Sequence, residues 1–179
     1  MRARALLEAL DRWDRVGIWS YSIPTLFLIF REDPATLKKA LTGHVRAGLL
    51  TRVARGLYVN PRARALPSDL LTAIVPFLRP WDFSYLSLES ALSEAGWISQ
   101  IPSRLTLMTT GRSQTFVTPW GVIEFVHTAR EGGRLTEGVA FDERRRLHIA
   151  TPPRAWRDLR RVGRNEDLVV PLGENDAQP

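Results

Sequence analysis

Leu49-Leu50-Thr51-Arg52-Val53-Ala54-Arg55-Gly56-Leu57-Tyr58-Val59 reads as two short β-prone runs joined by a turn at residues 54–56. What precedes this ribbon decides its meaning. Asp33-Pro34 offers a capping carboxylate and a first-turn proline, Leu37, Ala40, Leu41 and Val45 recur as an apolar stripe, and Gly48 follows as a stop, so a helix is expected between them. Further upstream, residues 23–30 are almost wholly apolar with Pro24 where a helix tolerates one, which predicts a buried helix, although a strand carries a similar composition. Residues 3–16 place Leu6, Leu10 and Trp13 at helical spacing while Arg4, Glu8, Arg12 and Arg15 point elsewhere, and Gly17 ends the pattern. Three helices followed by a two-stranded ribbon is the element order of a winged helix-turn-helix.

Residues 61–67 hold two prolines and no periodicity and are the expected linker between a domain of residues 1–66 and one of residues 67–179. In the second, Ser68 is placed to cap a helix reaching about Leu78, with Leu70, Leu71, Ile74 and Phe77 inward and Pro80 ending it. Ser87 is placed to cap another over residues 88–95, stopped by Gly96. Strands are expected over residues 104–110, 115–118, 121–128 and 147–150, and a helix over residues 154–161 after Pro152-Pro153. Val122, Ile123, Phe125 and Val126 make the third of these strands apolar on both faces, as in a central strand. Residues 173–179 are polar and expected to fray. The fold class is therefore α/β in the α+β sense, a winged helix followed by a mixed α/β domain.

Composition narrows the chemistry. The 179 residues are 44% hydrophobic and 25% charged, with six Trp, seven Phe and three Tyr for packing, which suits a globular chain. The absence of cysteine excludes a disulfide scaffold, a thiolate nucleophile and every cysteine zinc site, and makes a cytoplasmic address the simplest expectation. The longest apolar run, residues 23–30, is far short of the roughly 20 residues that span a bilayer, and Glu8, Asp11 and Asp14 do not suit a signal peptide, so no membrane partner is expected. Charge is uneven: residues 1–66 hold ten Arg and two Lys against five acids, a net +7, whereas residues 67–179 come to −1. A field of that sign over a third of the chain favours a polyanion, most simply double-stranded DNA.

On the third helix the inward stripe leaves Thr36, Lys38, Lys39, Thr42, Gly43 and Arg46 on or near the outer face, and Lys38 and Lys39 are the only lysines in the protein. Cationic side chains suit phosphate oxygens or a guanine edge, and the threonines can serve either. Arg52 and Arg55 lie on the ribbon, where a wing reaches an adjacent backbone or minor groove. A second candidate patch comprises Arg144, Arg145, Arg146, Arg157, Arg160 and Arg161, with Arg154 and Arg164 nearby; the alternative is a solvated face paired with Asp142, Glu143 and Asp158. No catalytic constellation emerges. Without lysine beyond Lys39 the second domain can hold no phosphate-loop lysine, Schiff base or lysine-dependent nuclease core, and His44, His127 and His148 lack metal-ligand spacing, so neither metal nor cofactor is expected. His44 is expected on the helix surface. Glu124 and His127, three apart in a strand, face opposite ways, and Ser87, Glu89 and Ser90 suit capping better than nucleophilic chemistry.

Tyr85-Leu86-Ser87-Leu88-Glu89-Ser90-Ala91-Leu92, then Gln100-Ile101-Pro102, the turn of residues 109–112 and Gly121-Val122-Ile123-Glu124-Phe125 resemble, in order and spacing, the core of the AbiEi-family antitoxins. So do Arg55-Gly56-Leu57-Tyr58 and Ile149-Ala150-Thr151-Pro152-Pro153-Arg154-Ala155-Trp156-Arg157-Asp158-Leu159, where Trp156 replaces a smaller or aliphatic residue. The resemblance implies a bifunctional antitoxin of a type IV toxin–antitoxin system for abortive infection by phage. Its winged helix would repress its own operon through inverted repeats in the promoter, and its second domain would counteract a nucleotidyltransferase toxin without a stable complex. By position, Thr36, Lys38, Lys39, Thr42, Arg46 and Arg55 are the implied DNA contacts. Tyr85, Ser87, Ser90, Gln100 and Pro102 suit shaping the domain better than catalysis. The first rival is a transcriptional regulator whose second domain senses a ligand or dimerises, with no toxin; the second is an enzyme such as a divergent nuclease.

Overall fold

In a computed structural model, which describes residues 1–170, the Asp33 carboxylate accepts hydrogen bonds from the Ala35 and Thr36 amides at 3.1 and 3.0 Å and starts α3 (Pro34–Arg46). It is preceded by α1 (Ala3–Asp14), β1 (Ser20–Ser22) and α2 (Ile23–Phe30) and followed by β2 (Thr51–Ala54) and β3 (Leu57–Val59). The Ser22 side chain accepts from the Thr25 amide and so starts α2, with Pro24 in its first turn. The ribbon expected over residues 49–59 forms, and it gains a third strand: β1 pairs antiparallel with β3, giving the order β1-β3-β2. Leu6, Leu10, Tyr21, Leu26, Leu37, Leu41, Leu50 and Tyr58 close one core between helices and sheet.

One expectation for this part is corrected. The helix over residues 23–30 forms but is not buried: Leu26 alone is fully enclosed, Phe27 is exposed, and Leu28 is 73% exposed. A helix apolar all round still has only one side to offer a core. Residues 61–65, within the expected linker, are tied to the first unit. The Asp14 carboxylate accepts from the Arg64 and Ala65 amides at 2.9 and 3.0 Å, and the Asn60 side chain accepts from the Arg62 amide. Those two amides hold the Asp14 carboxyl below the usual carboxylate range, since each favours its ionised form. The chain divides into two compact units, Met1–Leu70 and Leu71–Pro179.

The second unit is built on a six-stranded mixed sheet of order β6-β7-β5-β4-β9-β8, from β4 (Ser84–Leu86), β5 (Arg104–Thr109), β6 (Gln114–Thr118), β7 (Gly121–His127), β8 (Val139–Asp142) and β9 (Leu147–Ala150). Pairs β4/β9 and β5/β7 are parallel; the remaining neighbours are antiparallel. The four expected strands appear, β7 lies inside the sheet, and β4 and β8 join them. In place of one helix to Leu78 there are two short ones, α4 (Leu70–Ala73) and α5 (Val75–Leu78), with Phe77 exposed. Pro76 has no N–H to give the Thr72 carbonyl, so the ladder breaks there. After α6 (Leu88–Glu94) and a single turn, α7 (Gly133–Thr136), comes α8 (Pro152–Val162), which packs against α6 and includes both prolines in its first turn. Residues 173–179, expected to fray, lie outside the described residues. None of the described helices is long and apolar enough to cross a membrane.

Candidate nucleic-acid interface

The register of α3 sends Leu37 and Leu41 into the core and leaves Thr36, Lys38, Lys39, Thr42, Gly43 and Arg46 exposed, as their spacing predicts. The Thr42 hydroxyl donates to the Lys38 carbonyl at 3.0 Å, which leaves its lone pairs outward. Arg52 and Arg55 are exposed on the ribbon, Arg55 in the turn between β2 and β3 beside Gly56, whose φ of +84° is the left-handed conformation the turn needs. Among the described residues, none of Lys38, Lys39, Arg46, Arg52 and Arg55 has a carboxylate within ion-pair distance.

Four acids of this unit are engaged elsewhere. Asp33 starts α3, Asp14 anchors residues 64–65, Glu8 pairs with Arg4 at 2.8 Å, and Glu32 meets the Met1 amino group. Five exposed cations without a carboxylate partner thus stand on the outer face of α3 and the ribbon, and Arg2, Arg12, Arg15, Arg31, Arg62 and Arg64 are exposed elsewhere in the unit. His44 was expected on the surface but is buried, its Nε2 3.2 Å from the Met1 carbonyl oxygen. It follows Leu37 by seven residues and Leu41 by three, so the helix turns it inward.

The second candidate patch is only partly a patch. Arg145 pairs with Glu94 at 2.8 Å and with Asp142 at 3.6 Å; Arg157 lies 3.7 Å from Glu137; Arg160 lies 3.8 Å from Glu166 and over the Trp156 ring. Arg144, Arg146 and Arg161 are exposed, with no carboxylate partner among the described residues. Arg164, counted with them in the sequence, is clamped by Glu89 at 2.9 Å and Glu124 at 2.8 Å. Its hydrogen bonds to Glu124 push the guanidinium further above its ordinary range against the opposing effect of partial burial, and the same bonds hold the Glu124 carboxyl low. Glu89, Thr106, Glu124, Arg164 and Asn165 line a cleft of about 370 Å³ whose charges are thus already paired.

Arg154, also counted as exposed, is buried. On one face of α8, Arg154 and Asp158 stand one turn apart, 2% and 0% exposed, with the Arg154 Nε 3.2 Å from the carboxylate. The Asp158 carboxylate also accepts from Tyr85 Oη at 3.0 Å, from Ser87 Oγ at 2.9 Å and from the Arg130 guanidinium. Arg154 in turn donates to Tyr85 Oη at 2.8 Å and to the carbonyls of Arg134, Leu135 and Glu137. Burial pushes the Tyr85 hydroxyl up, so it stays protonated between the two charges. Gly138, at φ +69°, lies so close that an added Cβ would be 3.0 Å from that of Arg154.

Ser87 therefore does not cap α6, as expected from sequence, because its hydroxyl is committed to Asp158. Thr106 of β5 replaces it: its Oγ1 accepts from the Ser90 amide at 3.0 Å and donates to the Ser87 carbonyl, while Ser90 Oγ accepts from the Thr106 amide. Tyr85, Ser87 and Ser90 are thus hydrogen-bonded interior groups. Glu124 and His127 stand apart as expected, Glu124 against Arg164 and His127 Nδ1 2.8 Å from the Gly111 carbonyl oxygen. Arg130 and Arg134 were missed in the sequence reading, since each stands alone among uncharged or oppositely charged neighbours. No group of three His, Asp or Glu among the described residues converges on a metal position. No protein-family model matches the chain, and no curated protein matches it.

Proposed function

We propose that this chain is a DNA-binding repressor of its own operon, with α3 laid in the major groove and the β2–β3 turn on the adjacent backbone or minor groove. The observation that carries this reading is the set of exposed cations without carboxylate partners on α3 and the ribbon. Duplex DNA offers a row of phosphates that such a surface neutralises with release of counterions. Thr36, Lys38, Lys39, Thr42, Arg46, Arg52 and Arg55 are the proposed contacts. The resemblance to AbiEi antitoxins supports a wider role for the same chain: a cytoplasmic, non-enzymatic antitoxin of a phage-defence system that recognises inverted repeats and opposes a nucleotidyltransferase toxin without a lasting complex.

The test is binding to the promoter fragment upstream of its own gene against a scrambled duplex, across a salt series. Lys38→Ala and Lys39→Ala should each lower the salt-dependence exponent by about 1, and Arg55→Ala should weaken binding about tenfold with an unchanged melting temperature. A wild-type chain that does not prefer its promoter over the scrambled duplex at low salt would falsify the repressor reading. The antitoxin role is tested separately, by rescue of growth in cells expressing the neighbouring nucleotidyltransferase.

A further inference from the structure

The interior network of the second unit has an outward consequence. Arg130, Arg134 and Arg161 line one open pocket of about 540 Å³, together with Ala129 and Glu131. The three arginines come from three segments, and one buried group of residues holds the Arg130 guanidinium and the backbone that carries the other two. Arg130 is 17% exposed and fixed by Asp158. Arg134 lies on α7, where the Arg134 and Leu135 carbonyls, with that of Glu137 just beyond the helix, accept from Arg154. Arg161 projects from α8, the helix that carries both Arg154 and Asp158.

Two features of charge point to an anion. Asp158 is the one carboxylate shared by Arg130 and Arg154, so the network retains an uncompensated positive charge at the pocket floor. Arg134 and Arg161 have no carboxylate within ion-pair distance among the described residues, and Glu131 is the only acid in the lining. Three arginines around one pocket, one of them held in place by Asp158, suit a multiply charged oxyanion, and a guanidinium fork matches the geometry of phosphate oxygens. The lining has no aromatic or large apolar side chain on which a base could stack.

We infer that this pocket binds the phosphate or diphosphate group of a small phosphorylated ligand, with Arg134 and Arg161 as direct contacts and Arg130 as the oriented floor. The site is independent of the DNA-binding reading and gives the second unit a ligand-sensing capacity.

Isothermal titration of the full chain at low ionic strength, with pyrophosphate, ADP and adenosine as probes, tests it. Pyrophosphate and ADP should bind once per chain with affinities within about tenfold of each other, and adenosine should not bind. Arg134→Gln and Arg161→Gln should each weaken pyrophosphate at least tenfold, and circular dichroism should show both variants folded. The Lys38→Ala/Lys39→Ala double variant should bind it as the wild type does. Absence of pyrophosphate binding at millimolar concentration, binding unchanged in the Arg134→Gln/Arg161→Gln double variant, loss of binding in the lysine variant, or binding of adenosine would each overturn the assignment. Failure of promoter binding would leave all of these outcomes unaffected, so the two readings fail separately.

Discussion

The two units set their cations differently. In Met1–Leu70 the carboxylates of Glu8, Asp14, Glu32 and Asp33 are bound to Arg4, to backbone amides or to the chain's amino group, and the cations of α3 and the ribbon face water. In the second unit four arginines are drawn into structure, Arg154 beside α7, Arg164 between Glu89 and Glu124, Arg145 between Glu94 and Asp142, and Arg79 over the rings of Phe116 and Phe125, while Arg134, Arg144, Arg146 and Arg161 stay exposed. Net charge alone does not separate a cation that awaits a partner from one that already has several. The comparison teaches that exposure and the location of the nearest carboxylate decide the role.

The largest expected effect is on the interior side. Asp158→Ala leaves Arg154 buried without its carboxylate and should destabilise the second unit by about 3–5 kcal/mol, read as a large fall in melting temperature. A shift within about 0.5 kcal/mol would show that the network is not structural and would erase the contrast. Tyr85→Phe removes one hydroxyl that both accepts from Arg154 and donates to Asp158, and should cost about 1–3 kcal/mol in the same measurement.

The next predictions use pH. Burial, with a smaller contribution from the Asp14 charge, pushes the Tyr21 hydroxyl up to about 12 from 10.0. A group raised in the folded state stabilises fully below its unfolded value, so this contribution should be present up to about pH 10 and lost as pH rises towards 12. Tyr21→Phe should flatten that alkaline loss. The Asp14 and Glu124 carboxyls are lowered, so their contributions are complete above the ordinary carboxylate range and disappear as pH falls through their depressed folded values. Asp14→Asn should therefore lose stability at neutral pH and show a weaker acid dependence than the wild type. The smallest effect is expected at Lys38→Ala or Lys39→Ala, within about 0.5 kcal/mol in stability, because neither side chain is enclosed. A larger loss would move the α3 face from interface to scaffold.

Much of the fold was legible where one local rule acted alone. Asp33-Pro34 starts α3 because a carboxylate and a proline satisfy the first turn without help from elsewhere. The outward set on α3 followed from periodicity in the same way. β1, β4 and β8 were not legible: each is only three or four residues long and is defined by its pairing to β3, to β5 and β9, or to β9. Depth was equally hidden. Arg154 and Asp158 could be seen as a helical pair, but their burial depends on Tyr85, Ser87 and residues 134–137, some 70 and 20 positions away. The same holds for His44, whose ring is covered from the other end of the unit.

By itself the sequence determined the α+β class, most helices and most strands of both units, the concentration of positive charge at its amino-terminal end, and the cationic face of α3. These follow from side-chain periodicity, capping chemistry and composition, which act within a few residues. Only the tertiary structure decided which arginines are enclosed and which stand free, that Ser87 serves Asp158 while Thr106 caps α6, and that Arg130, Arg134 and Arg161 share one pocket. The reason is that desolvation and ion pairing depend on distance in space, and the groups that set them lie far apart along the chain.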